Sequence, residues 1–124
     1  MKTTILAFAF FLFVSNVFTQ NQTSKEIPVI KVPDFAGAGI KSFYQSYTDH
    51  LIKCIKAVRE KDEAKAKALF KNPGEQLVAR EKTLSKEVVK NAVEKQKYIQ
   101  FAEQVYPYIK EVEHSEYYKK LYGK

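Results

Sequence analysis

The sequence predicts an all-α fold: an antiparallel helical hairpin or three-helix bundle, preceded by an N-terminal leader and an extended lead-in. Three patterns predict it. Ile40, Tyr44, Tyr47, Leu51, Cys54 and Val58 recur at alternating steps of four and three, the spacing that lines one face of a helix. Ala66, Phe70, Pro73, Leu77, Arg80 and Leu84 keep that spacing further along the chain. From Val88 to Val112, apolar and aromatic positions alternate with a polar side made of Gln96, Gln100, Glu103, Gln104, Lys110 and Glu111.

The leader is residues 1–19. Lys2 gives a basic start, Ile5 to Val14 is an uncharged apolar run, and a short polar-leaning stretch ends at Thr19, which together read as a secretory signal peptide. The apolar run is about half of the ~20 residues that a membrane-spanning helix needs. Val17 and Thr19 occupy the positions a signal peptidase inspects, so the expected mature chain begins at Gln20. No cysteine follows the apolar run, which excludes a lipid anchor on a first cysteine. The expected product is secreted or periplasmic.

Removing the leader leaves 105 of 124 residues, enough for one domain with a modest core. The formal charge falls from +7 to +6 with the loss of Lys2. The lysines are interleaved with glutamates rather than gathered in a block, so the charge reads as a solvated helix surface and not as a nucleic-acid footprint. Cys54 is the sole cysteine, so no internal disulfide can form and packing must hold the domain together. Its place in the apolar seam makes it a small buried side chain; an intermolecular disulfide is the alternative in an oxidising compartment.

Residues 20–33 form the lead-in. Pro28 and Pro33 forbid a continuous helix, while Ile27, Val29, Ile30 and Val32 suit an extended run along the bundle. Asn21-Gln22-Thr23 is a glycosylation sequon that matters only in a eukaryotic source. The helical domain, residues 34–124, opens with Asp34 as an N-cap and a helix from about Phe35. Gly37 and Gly39 weaken its first turn by about 1 kcal/mol each. Phe43 and Ile55 widen its buried seam, and Ser42, Ser46, Asp49, Lys53, Lys56 and Glu60 fall on the far side. Gly37-x-Gly39 has no preceding strand, third glycine or P-loop lysine, so it is not read as a phosphate loop.

Val32-Pro33-Asp34-Phe35 running into a long aromatic helix, then Arg59-Glu60-Lys61-Asp62 turning into an alanine-rich helix, resembles small exported helical bacterial proteins without assigned functions. The resemblance covers Val32 to Leu69 and implies an all-helical exported domain. It carries no catalytic motif and implies no ligand.

Asp62 caps the second helix, through Ala64, Ala66, Ala68, Leu69 and Phe70. Asn72, Pro73 and Glu75 have the cap, first-turn proline and third-position carboxylate of a capping box, so either a new helix or a kink begins there. Ser85 is the next expected cap, with Leu84 stapling against Val89. A last helix then runs to about Leu121, kinked at Pro107, whose missing N–H costs about 3 kcal/mol in a helix interior.

Chemistry is sparse. His50 with Cys54, one turn apart, and Glu111 with His114, three apart, each offer two metal ligands where three or four are needed. A Cys54 nucleophile would have to lie on the apolar seam, and no Gly-x-Ser-x-Gly elbow exists. No catalytic residue, metal or cofactor is therefore assigned. Tyr98, Phe101, Val105, Tyr108 and Val112 turn well away from the Val88/Ala92 side and form the candidate interaction face, wider than one neighbouring helix needs. Against that, a break near Lys95 to Lys97, or Ile27 to Val32 folding across the arc, would make the same residues core. The function expected is an exported, non-catalytic interaction module that binds an unknown protein partner or a second copy of itself. The alternative is an amphipathic binder of anionic envelope lipid or polysaccharide, with the membrane as a peripheral surface only.

Overall fold

The computed structural model describes residues 27–123, and the regular structure among them is all helix. The leader, the sequon and the start of the lead-in lie outside the described residues.

Helix α1, Ala38–Arg59, buries Phe43, Tyr44, Leu51, Cys54 and Ile55, while Ile40, Tyr47 and Val58 pack half-buried against the same core. Ser42, Ser46, Asp49, Lys53, Lys56 and Glu60 are all exposed. The expected seam and its solvent side are thus both present. Its start differs from the expectation. Gly37 is the N-cap, without a side-chain bond, and Asp34 instead pairs with Lys41 at 3.1 Å. The two glycines and the turn at Phe35, whose N–H bonds the Pro33 carbonyl, delay the helix by three residues.

At its C-terminus α1 closes with two crossed backbone bonds, Lys61 N–H to the Val58 carbonyl and Asp62 N–H to the Ala57 carbonyl, the pattern of a Schellman motif. The residue in the left-handed position is Lys61, at φ 59°. The chain reverses there, and Asp62 caps α2, Glu63–Lys71, by accepting from the Lys65 N–H. Ala66 and Phe70 are the buried residues of α2. Ala66 is small enough to let α2 lie close to α1.

A turn with a cis Asn72–Pro73 peptide separates α2 from α3, Gly74–Val88. Two helices are therefore present where the sequence left a kinked single helix open. The capping box is not: Asn72 ends α2, and the N-cap position of α3 is Pro73, with no side-chain bond. A further correction concerns Ser85. It lies inside α3, its hydroxyl bonding the Lys82 carbonyl, and the chain breaks at Val89–Asn91 instead. Asn91 caps α4, Ala92–Glu113, by accepting from the N–H groups of Val93 and Glu94. Val88 belongs to α3 and is buried, whereas Val93 on α4 is 64% exposed, so the four residues Val88, Val89, Ala92 and Val93 do not share a face.

Helix α4 continues through Pro107. Ser115 then caps α5, Glu116–Tyr122, and Gly123 ends it at φ 73°, a left-handed position that glycine adopts without steric cost. Arg59 and Glu111 tie α1 to α4 with bonds of 2.7 and 2.9 Å.

The core sits where α1 meets α4 and α3. Tyr44 is its centre, ringed by Phe35 at 5.2 Å, Phe43 at 5.2 Å, Phe101 at 5.1 Å and Tyr98 at 6.0 Å between ring centroids, distances at which aromatic pairs attract. The Tyr44 and Tyr98 hydroxyls both donate to one oxygen of Glu81, at 3.3 and 2.7 Å. Burial, foremost, and the Glu81 charge raise both phenols above their usual range, so both remain protonated donors.

Candidate functional site

The expected interaction face is core. Phe101 and Val105 are at most 4% exposed and Val112 is 7% exposed, while Tyr98 and Tyr108 pack half-buried against the same cluster. The physical reason is the cover they receive. Phe101 faces the α1 aromatics, and the lead-in lies along α4, held by two bonds of 2.8 Å between the Gln104 side chain and the Lys31 backbone. Glu94 accepts from the Ala36 N–H at 2.9 Å, and Lys97 donates to the Asp34 carbonyl at 2.9 Å. Phe35 is buried as a result.

A different region is open. Five helices wall a cavity of about 290 Å³, near the small end of the range for ligand pockets. From α1 come Tyr47, His50, Leu51 and Cys54, successive members of the apolar seam and its edge. Phe70 of α2 and Ile109 and Val112 of α4 add apolar wall, and α3 adds Leu77 and Val78. Val78 is 59% exposed, which places it at the mouth. Tyr118 and Tyr122 of α5 complete the enclosure, their rings 4.7 Å apart and Tyr118 packed edge-on to Phe70 at 5.4 Å.

The tight turn from α2 into α3, beside His50 of α1, depends on Gly74. A Cβ there would lie 2.6 Å from the Leu69 carbonyl oxygen and 3.2 Å from His50 Nε2. Glycine is required by space at this position rather than by backbone angle.

Four polar groups interrupt the apolar wall. Cys54 Sγ lies 3.4 Å from His50 Nε2, as their one-turn spacing predicts. Burial pushes the Cys54 thiol up to about 12, and burial with the nearby Lys53 charge lowers the His50 pKa. Thiol and imidazole are therefore both neutral at physiological pH, which suits hydrogen bonding and not thiolate chemistry. The other two groups are carboxylates. Glu75 accepts from the Tyr122 hydroxyl at 2.8 Å, and burial together with that bond pushes the Tyr122 phenol up to about 12. Glu113 receives Lys110 at 3.4 Å. No lysine or arginine is among the residues lining the cavity.

Among the described residues no group of three or more His, Cys, Asp or Glu is placed to hold a metal ion. The Glu111–His114 pair is not a ligand pair, because Arg59 takes both Glu111 oxygens. Among the same residues no helix is long and apolar enough to cross a membrane.

No protein-family model matches the chain, and comparison with curated proteins and with solved structures returned no match.

Sequence reasoning missed this cavity because it is bounded by α5, a separate helix that a single helix running from Ser85 to Leu121 erases. A signal for Glu81 was present. It stands four residues after Leu77 and three before Leu84, on the apolar side of its helix, where an unpaired carboxylate is costly and a partner is implied.

Proposed function

We propose that this chain is an exported, non-catalytic binding module that takes a small, largely apolar ligand into the cavity between the five helices. The observation that carries the reading is the cavity itself: about 290 Å³, walled by aliphatic and aromatic side chains, with a few polar groups at fixed positions, as in small-molecule sites generally. The apolar content of the wall provides the affinity, since each buried methylene contributes about 0.8 kcal/mol. Export is supported by the leader pattern of residues 1–19.

Binding through the α4 aromatic face is not proposed, since Phe101, Val105 and Val112 are already spent on the core. An anionic lipid or glycan is poorly matched to the cavity, whose lining carries Glu75 and Glu113 and no cation.

The test is titration with the neutral dye N-phenyl-1-naphthylamine, whose emission rises on leaving water. Saturable binding at one site is expected, and Leu77→Trp, which fills the cavity, should abolish it while the circular dichroism spectrum is retained. Val93→Trp, on the exposed side of α4, should bind as wild type. Equal dye binding by wild type and a folded Leu77→Trp variant rejects the cavity as the site.

A further inference from the structure

The cavity carries two carboxylates in its lining, Glu75 and Glu113, and no lysine or arginine. Resting on the reading above, we infer that its occupant is a cationic amphiphile, with an apolar body between Leu51, Phe70 and Ile109 and an ammonium head between Glu75, Glu113 and the Tyr118–Tyr122 pair.

Position supports this first. Tyr122 donates to Glu75 at 2.8 Å, and the Tyr118 and Tyr122 rings are 4.7 Å apart. Glu113 lines the cavity together with Tyr47 and Tyr118. Both carboxylates thus border the aromatic corner of the cavity. An ammonium placed there meets two negative charges and the negative faces of tyrosine rings, which attract cations.

Lys110 shares Glu113 at 3.4 Å, but both side chains are partly exposed, and ion pairs in contact with solvent are weak and readily exchanged. His50 and Cys54 are neutral and so do not repel a cation. An anionic head would find no lining lysine or arginine. It would also leave both carboxylates facing a like charge.

Size fits a short chain. Liquid water occupies roughly 30 Å³ per molecule, so about 290 Å³ has room for about ten such units, enough for an eight-carbon chain and its head. The whole chain is positive, at +7, and its long-range field favours anions. A preference for cations would therefore report the local carboxylates and not the net charge.

The experiment is displacement of N-phenyl-1-naphthylamine from the full mature chain by octylammonium, octanol and octanoate, each below its micelle concentration, at pH 7 and low salt. Octylammonium is expected to displace the dye at a concentration about tenfold lower than octanoate, with octanol between them. In a Glu75→Gln/Glu113→Gln variant the three should converge, while octanol displacement stays as in wild type. Equal displacement by all three, or octanoate as the best competitor, overturns the cationic assignment and leaves the apolar cavity intact. A retained ammonium preference in the double variant also overturns it. Failure of the dye and of all three compounds to bind instead rejects the cavity reading beneath it.

Discussion

Gln104 and Lys31 are joined by a matched pair of hydrogen bonds: the Gln104 amide nitrogen donates to the Lys31 carbonyl and its oxygen accepts from the Lys31 N–H, both at 2.8 Å. One side chain thus satisfies both backbone groups of a residue in an extended segment, as a neighbouring strand would. The described part of the lead-in thereby lies along α4 and is held to it.

Gln104→Ala removes both bonds at once. Net contributions near 1 kcal/mol per hydrogen bond give an expected loss of about 1–2 kcal/mol, concentrated in the lead-in. Amide exchange at Lys31 should accelerate by at least tenfold while exchange in the middle of α1 changes little. Gln104→Glu keeps the acceptor and loses the donor, so it should fall between the two. Unchanged exchange at Lys31 in Gln104→Ala would show that the clasp does not hold the segment.

Leu51 is 7% exposed at the centre of the α1 seam, and it also lines the cavity. Leu51→Ala should lower stability by about 2–5 kcal/mol, the range for deleting a buried leucine side chain, with the lower half expected because the neighbouring cavity already limits its packing. Lys53→Ala, two residues on and exposed, should stay within about 0.5 kcal/mol. Denaturant titration of the two variants side by side checks both figures.

The α1 seam was legible because one residue type dominates each side for six turns, and tertiary contacts merely use the stripe. The break at Lys90–Asn91 was not read, although Asn91 and Glu94 have cap and third-position spacing, because Val88, Val89, Ala92 and Val93 continue an apolar period across it. In the structure Glu94 reaches away to the Ala36 N–H, a contact 58 residues distant that no local pattern encodes. The same holds for Arg59–Glu111 and Gln104–Lys31: each polar residue looked solvated because its partner lies on another element. The cavity was illegible for a related reason, since it requires knowing that α5 folds back to place Tyr118 against Phe70.

Gly74→Ala tests how tightly the chain turns from α2 into α3. The added carbon would meet the Leu69 carbonyl at 2.6 Å, a backbone atom that cannot turn aside as a side chain does. A cost of about 1–3 kcal/mol is expected, the range for overpacking, despite the higher helix propensity of alanine. Gly39→Ala is the control: no atom lies within 4 Å of its Cβ position, and it sits inside α1, so it should stabilise by up to about 1 kcal/mol. Two thermal melts with opposite shifts are the predicted result.

The proposed export makes a direct demand on the product. Expressed in full with its leader, the chain should appear outside the cytoplasm beginning at Gln20, as judged by intact mass. A membrane-bound product that retains Met1 would refute the leader reading of residues 1–19.

His50 sets the expected pH response. Unfolded histidine titrates near 6.5, and in the folded chain burial and then the Lys53 charge lower its pKa. Between the two values the unfolded chain binds more protons than the native one, so stability rises with pH across that window. The contribution is fully present above about 6.5 and is lost as pH falls toward the folded value. The carboxylates held below their usual range, Asp34, Glu63 and Glu94, act by the same sign near and below the ordinary carboxylate pKa of about 4, so they leave the upper part of the window to His50. His50→Gln keeps a polar side chain of similar reach beside Cys54 and cannot titrate. The fall in Tm between pH 7.5 and 5.5 should therefore be smaller in His50→Gln than in wild type. If both chains lose Tm in parallel over that interval, the native imidazole of His50 is not held neutral by its place in the cavity wall.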